Sequence, residues 1–174
     1  MALAEKKAVT VTTNQVKRPD EQPPQPARPN VLDELAQREL ARTGEKTSAR
    51  FRWPVLGPTI SQFGPKQNGL FNDGINISAL EGTPIKAAED GVVAYVGNEL
   101  EGYGNLLLLT HENGFVTAYA HASQLLVKRG DRVKRGQIIG RVGKTGRVEI
   151  PQLHFEIRVG SKPVPPLVLL GPQH

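Results

Sequence analysis

From Phe51 onward the chain is cut into short apolar or alternating runs by turn residues, and that period limits it to strands. Thr59-Ile60-Ser61-Gln62-Phe63 alternates before Gly64-Pro65, and Gly91-Val92-Val93-Ala94-Tyr95-Val96-Gly97 is bounded by glycines. Leu106-Leu107-Leu108-Leu109 is uninterrupted, as expected of a strand buried on both faces. Phe115-Val116-Thr117-Ala118-Tyr119-Ala120 follows the turn Glu112-Asn113-Gly114. Gln137-Ile138-Ile139-Gly140-Arg141-Val142 and Leu153-His154-Phe155-Glu156-Ile157-Arg158 complete the set. Many short strands at regular turn spacing predict an all-β domain of mainly antiparallel sheet over residues 51–170.

The rest of the 174 residues reads differently. Residues 1–29 are polar and end in Pro19, Pro23, Pro24, Pro26 and Pro29, a tail or linker that buries too little apolar surface to offset its ordering entropy. Residues 30–50 hold one helix signal and a connector. Asn30 can cap, Leu32, Leu35, Ala36 and Leu40 share a face, and Gly44 is a stop. That stripe must pack on the β domain's own surface, in a groove of it, or on a partner. Residues 171–174 form a short C-terminal tail.

Charge is unevenly placed. Arg52 to Val127 holds three basic residues and seven acids, whereas Lys128 to His174 holds ten basic residues and three acids. A basic block of this kind suits a solvated face or an acidic partner. Nucleic acid is not expected, because aromatic stacking residues are not interleaved with the charges. No run approaches the roughly 18 apolar residues of a membrane span. The start, Met1-Ala2-Leu3-Ala4-Glu5-Lys6-Lys7, lacks the apolar region of a signal peptide, which leaves a cytosolic protein or a fragment of an exported one. With no cysteine, disulfides, thiolate metal sites and cysteine nucleophiles are excluded.

A Val-Lys-Arg-Gly unit occurs twice, six residues apart, at Val127–Gly130 and Val133–Gly136, each glycine permitting a tight turn. This resembles the barrel-sandwich hairpins of lipoyl and biotinyl carriers. The carrier tripeptides Met-Lys-Met and Asp-Lys-Ala are absent, so the likeness reaches the fold alone.

Further motifs follow in order: Ser61-Gln62-Phe63-Gly64, Gly82-Thr83-Pro84-Ile85-Lys86-Ala87, Gly102-Tyr103-Gly104-Asn105, Tyr119-Ala120-His121, Gly136-Gln137-Ile138-Ile139-Gly140, Gly143-Lys144-Thr145-Gly146 and Leu153-His154-Phe155-Glu156. Together they make residues 53–167 resemble the LytM, or lysostaphin-type, peptidoglycan endopeptidase domain. In that family zinc is held by a His and an Asp of a His-x-Gly-x-Asp run and by the second His of a His-x-His. The resemblance places those ligands at Asn72, Asn76 and His154, with Gly74 retained, and the catalytic histidines at His121 and Gln152. Three of these five positions have changed.

The chemical consequence is severe. A catalytic zinc takes about three protein ligands and one water, and neutral amides are weak donors to it. Without a metal to acidify water, His121 has no nucleophile to activate. Ser78 and Ser123 carry no Gly-x-Ser-x-Gly elbow. No cofactor and no metal are expected. The resemblance therefore implies a pseudoenzyme. Family members with lost ligands, the EnvC- and NlpD-like division factors, activate cell-wall amidases by contact. The expected role is a regulator of an amidase or other peptidoglycan hydrolase in cell separation, in the bacterial periplasm or cell envelope. Its expected groove is lined by Asn72, Asn76, His121, Gln152 and His154, with Lys144 and Arg147 on an adjoining loop. Alternatives are a peptidoglycan-binding module without regulatory activity and, third, a residual metallo-endopeptidase. His111 before its turn reads as a packing residue and His174 as a terminal one.

Overall fold

The computed structural model describes residues 50–173. The Pro-rich tail, the helix signal at residues 30–42 and His174 lie outside the described residues. Twelve strands follow in order: β1 (Thr59–Ser61), β2 (Gly64–Pro65), β3 (Phe71–Asn72), β4 (Ile75–Ser78), β5 (Pro84–Lys86), β6 (Gly91–Gly97), β7 (Asn105–Thr110), β8 (Phe115–Leu125), β9 (Arg132–Val133), β10 (Ile138–Val142), β11 (Gln152–Val159) and β12 (Lys162–Val164). A 3-10 turn at Glu112–Gly114 lies between β7 and β8, and one α-helical turn, α1 (Pro166–Leu169), follows β12. The fold is the expected antiparallel β architecture.

Ten strands form one sheet whose main path runs β1-β4-β11-β8-β7-β6-β9, while β10 joins β8 to β5 and β12 pairs with β11; β2 and β3 form a separate ribbon. Alternation explains β11. Leu153, Phe155 and Ile157 turn into the core at 0% exposure, so Gln152, His154, Glu156 and Arg158 must point to the other face. The same period puts Ile75 and Ile77 of β4 in the core and leaves Asn76 beside His154 across the ladder. Leu106, Leu107 and Leu109 of β7 are buried, but Leu108 is only half-buried and, like Tyr95 and Tyr103, packs against the small cluster of Leu106, Ala118 and Ala120.

The two Val-Lys-Arg-Gly units build the same turn twice. Gly130 and Gly136 have φ of 91° and 86°, which favours glycine. In each turn the residue after the glycine returns a side-chain oxygen to the lysine amide: Asp131 to Lys128 at 2.9 Å, and Gln137 to Lys134 at 3.0 Å. Past α1 the chain stays on the domain, with the Trp53 indole donating to Gly171 and Gln173 bonding both backbone groups of Gly57.

His111 packs as its sequence position suggests. Its ring edges onto Phe51, its Nδ1 meets the Asp90 carbonyl at 2.7 Å and its Nε2 meets Thr117 Oγ1 at 2.7 Å. Burial lowers the pKa of this imidazole despite the opposing pull of the Asp90 carbonyl and nearby acids. Burial likewise lowers that of His121. A depressed native value means that the folded state holds fewer protons than the unfolded one. The stability from both rings is complete above the ordinary histidine value of 6.5 and is lost as pH falls through the lowered native values. Urea midpoints should therefore drop between pH 7 and pH 5, about the range of histidine titration. His111→Gln with His121→Gln should flatten the slope, and an equal slope in the variant would refute the assignment.

Candidate functional site

The ladder brings β4, β8 and β11 together at one spot, and the separate β2–β3 ribbon reaches it through the Asn72 side chain. Ser78, Ile77, Asn76 and Ile75 of β4 pair with Gln152, Leu153, His154 and Phe155 of β11, and His154 pairs on its other side with Ala120 of β8. Gly74 must be glycine here, because a Cβ would collide with the Phe155 carbonyl oxygen.

On this frame three amides form a one-way chain. The Gly74 N–H donates to Asn72 Oδ1 (3.1 Å), and Asn72 Nδ2 donates to Asn76 Oδ1 (3.0 Å). Asn76 Nδ2 donates to Gln152 Oε1 (2.7 Å), and Gln152 Nε2 donates to the Ile150 carbonyl (3.1 Å). A backbone N–H only donates and a carbonyl only accepts, so the two ends fix the orientation of every amide between them. The second hydrogen of Asn72 Nδ2 goes to Ser61 Oγ at 2.9 Å. One N–H on Asn76 and one on Gln152 are left over by this count.

His154 lies between two acceptors, with Nδ1 3.2 Å from Asn76 Oδ1 and Nε2 2.9 Å from Glu156 Oε1. Glu156 also accepts from Arg158 Nε at 2.6 Å, and Arg158 Nη2 reaches Asp73 Oδ2 at 3.1 Å. Burial pushes the Glu156 carboxyl up, but its bonds to His154 and Arg158 outweigh this and hold it below the usual carboxylate value.

His121 is set by backbone geometry. It has φ of 65°, costly for a residue with a side chain, at a bulge in the β7–β8 ladder. Its own N–H donates to the Tyr103 carbonyl and its Nδ1 meets the Thr145 carbonyl, each at 2.8 Å. A carbonyl only accepts, so Nδ1 carries the proton and Nε2 keeps its lone pair. The His121 and His154 rings are 6.1 Å apart by centroid.

Asn72, Asn76, Gln152 and His154 are thus joined by hydrogen bonds, with His121 alongside. Lys144 and Arg147 are exposed on the loop between β10 and β11, and Arg147 faces Glu101 at 3.7 Å. Ser61, Thr145, Glu156, Arg158 and Asp73 complete the site without having been singled out in the sequence. The alternation Gln152, His154, Glu156, Arg158 was the available signal for two of them.

The donor set does not fit a zinc ion. Asn72 and Asn76 offer neutral amides already bonded to each other, and among the described residues no three His, Cys, Asp or Glu side chains converge as a metal site. Fold and site together define a peptidase-type β domain with an amide chain among the positions to which the resemblance assigns metal ligands and catalytic histidines. Residues 70–166 match peptidase family M23, and the chain belongs to that family. It is 42% identical over 154 residues to the cell division protein DipM of Caulobacter vibrioides, covering 85% of this chain and 25% of DipM. It is 44% identical over 117 residues to the murein hydrolase activator NlpD of Escherichia coli, covering 67% of this chain and 30% of NlpD. Among solved structures, a zinc-containing peptidase from Vibrio cholerae matches with a TM-score of 0.64 and 34% identity, over 72% of this chain and 42% of that one. The chain spans only a quarter to a third of the length of these two curated relatives.

Proposed function

We propose that this domain is a non-hydrolytic regulator that activates a separate peptidoglycan hydrolase, an amidase in the first instance, during cell separation at the bacterial envelope. The observation that carries the reading is the closed amide chain Asn72–Asn76–Gln152 in place of metal donors. A site without a metal or an activated nucleophile acts through contacts, and contact energy concentrates in a few anchors. The similarity to an activator and to a cell division protein supports the same reading.

The rim supports protein contact as well. Leu70, Phe71, Leu80 and Ile150 are 50% or more exposed around the amides. Phe71 adjoins Asn72 in β3, while Leu80 and Ile150 lie at the end of the β4–β11 pair that Gln152 occupies. Large exposed apolar side chains beside a polar floor suit a partner surface. Lys144 and Arg147 would speed association with an acidic partner, an effect that salt weakens.

A second reading has its own observation. The spare N–H groups of Asn76 and Gln152 and the free Nε2 of His121 match the carbonyl and N–H of a peptide group, so a stem peptide of peptidoglycan could be held without being cut.

Dye release from labelled sacculi separates the readings. The chain alone should release nothing, and added amidase should release more with the chain than without it. Leu80→Glu with Ile150→Glu should abolish that stimulation while leaving the fold intact. Chelator-sensitive release by the chain alone would overturn the proposal. Sacculus binding with no stimulation of any hydrolase would favour the second reading.

A further inference from the structure

A second groove lies elsewhere on the domain and shares no residue with the amide site. It has a volume of about 660 Å³ and runs between the segment after Arg50, the β5 strand and the C-terminal residues. Its walls include Trp53, Leu56, Pro84 and Pro172, and three cations line it: Arg52, Lys86 and Arg135, the last paired with Glu89. Leu56 is 55% exposed. Among the described residues neither Arg52 nor Lys86 forms an ion pair. An apolar groove edged by two such cations calls for an occupant that is apolar and acidic together.

The chain itself supplies one. Leu32, Leu35, Ala36, Glu39 and Leu40 stand at i, i+3, i+4, i+7 and i+8, one face of a helix. Glu39 lies within that face, Asp33 and Arg42 stand at its two edges, and Arg38 falls on the far side. A 13-residue helix over 30–42 would be about 20 Å long. An isolated helix of that length is marginal in water and needs a surface to pack on. The eight residues from Arg42 to Arg50 reach at most roughly 27 Å, and the chain enters the domain at Phe51, itself part of the groove wall. The effective concentration of the segment at this groove is therefore high.

We propose that residues 30–42 dock as a helix in this groove, with Leu35 and Leu40 against Trp53 and Leu56 and with Glu39 paired to Arg52 or Lys86. The groove shares no residue with the amide site, so this docking stands or falls independently of the function proposed above.

The 174-residue chain tests this directly, because it has one tryptophan and no cysteine. Leu35→Glu with Leu40→Glu should shift Trp53 emission to the red and raise its quenching by acrylamide. Glu39→Lys should do the same to a smaller extent. The thermal transition of the β domain should persist in each variant, which separates undocking from unfolding. In a second arm, Leu35→Cys with Leu56→Cys should close an intramolecular disulfide on mild oxidation. Trp53 spectra identical to the parent in both helix variants, or a disulfide that forms only between chains, would overturn the proposal, the latter by pointing to a second copy as the occupant.

Discussion

Replacing Arg158 by Met should cost the domain about 3 kcal/mol, the lower end of what is measured when one partner of a buried ion pair is removed. The reason is Glu156. Its side chain is 2% exposed, and it accepts from Arg158 Nε and His154 Nε2 and, at 3.4 Å, from the Tyr103 hydroxyl. Methionine fills the space of the Arg158 stem but leaves the carboxylate one donor short in a site with little water. The lower end applies because the Arg158 side chain is itself 26% exposed. The outer pair with Asp73 adds little, since exposed pairs contribute about 0–1 kcal/mol. Urea midpoints at pH 7 measure the loss. Arg158→Met combined with Glu156→Gln should recover part of it, because no unpaired charge then remains. The pH dependence supplies a second signature. Glu156 has a lowered native pKa, so its contribution is present above the ordinary carboxylate value of 4.5 and is lost as pH falls through the lowered one. Arg158→Met should weaken that acid limb. A loss below about 1 kcal/mol, the scale of a surface pair, would show that Glu156 does not depend on the guanidinium.

This network also marks how far the sequence could be read. Strand β6 runs Gly91–Gly97 as its bounding glycines indicate, and the paired Val-Lys-Arg-Gly turns are legible because a positive φ selects glycine strongly. Strands β2, β3 and β9 have two residues each, too few for any period to show. Strand β8 continues five residues past Ala120. The bulge at His121 hides this continuation, since a bulge interrupts the two-residue alternation on which strand reading depends. Motif likeness placed Asn72, Asn76, Gln152 and His154 in one groove. It did not show that the amides bond to one another, because hydrogen-bond direction depends on the Gly74 N–H and the Ile150 carbonyl. Glu156 and Arg158 look solvated in sequence, as charged strand residues usually are. Only the ladder shows that their side of β11 is covered.

The amide chain leads to the other large effect. Asn72→His with Asn76→Asp should create a metal site at the cost of the unliganded fold. The carboxylate introduced by Asn76→Asp has no N–H to give Gln152 Oε1, so two acceptors would face each other where a 2.7 Å hydrogen bond now stands. The two substitutions would add an imidazole and a carboxylate to the ring of His154, all three from positions already in hydrogen-bond contact. Without zinc the variant should melt below the parent. Free zinc at 100 times its dissociation constant should stabilise it by about 2.7 kcal/mol, and a chelator should reverse the gain. The parent should show no zinc-dependent shift and keep no stoichiometric zinc after loading and desalting. Hydrolysis should lag behind metal binding in the double variant, because Gln152 still lacks the imidazole. Adding Gln152→His supplies that ring and removes the last amide of the chain. One zinc per parent chain, lost on His154→Ala, would mean that the amides do not displace the metal. Equal melting of the double variant with and without zinc would mean that the frame of β3, β4 and β11 has moved beyond the reach of three ligands.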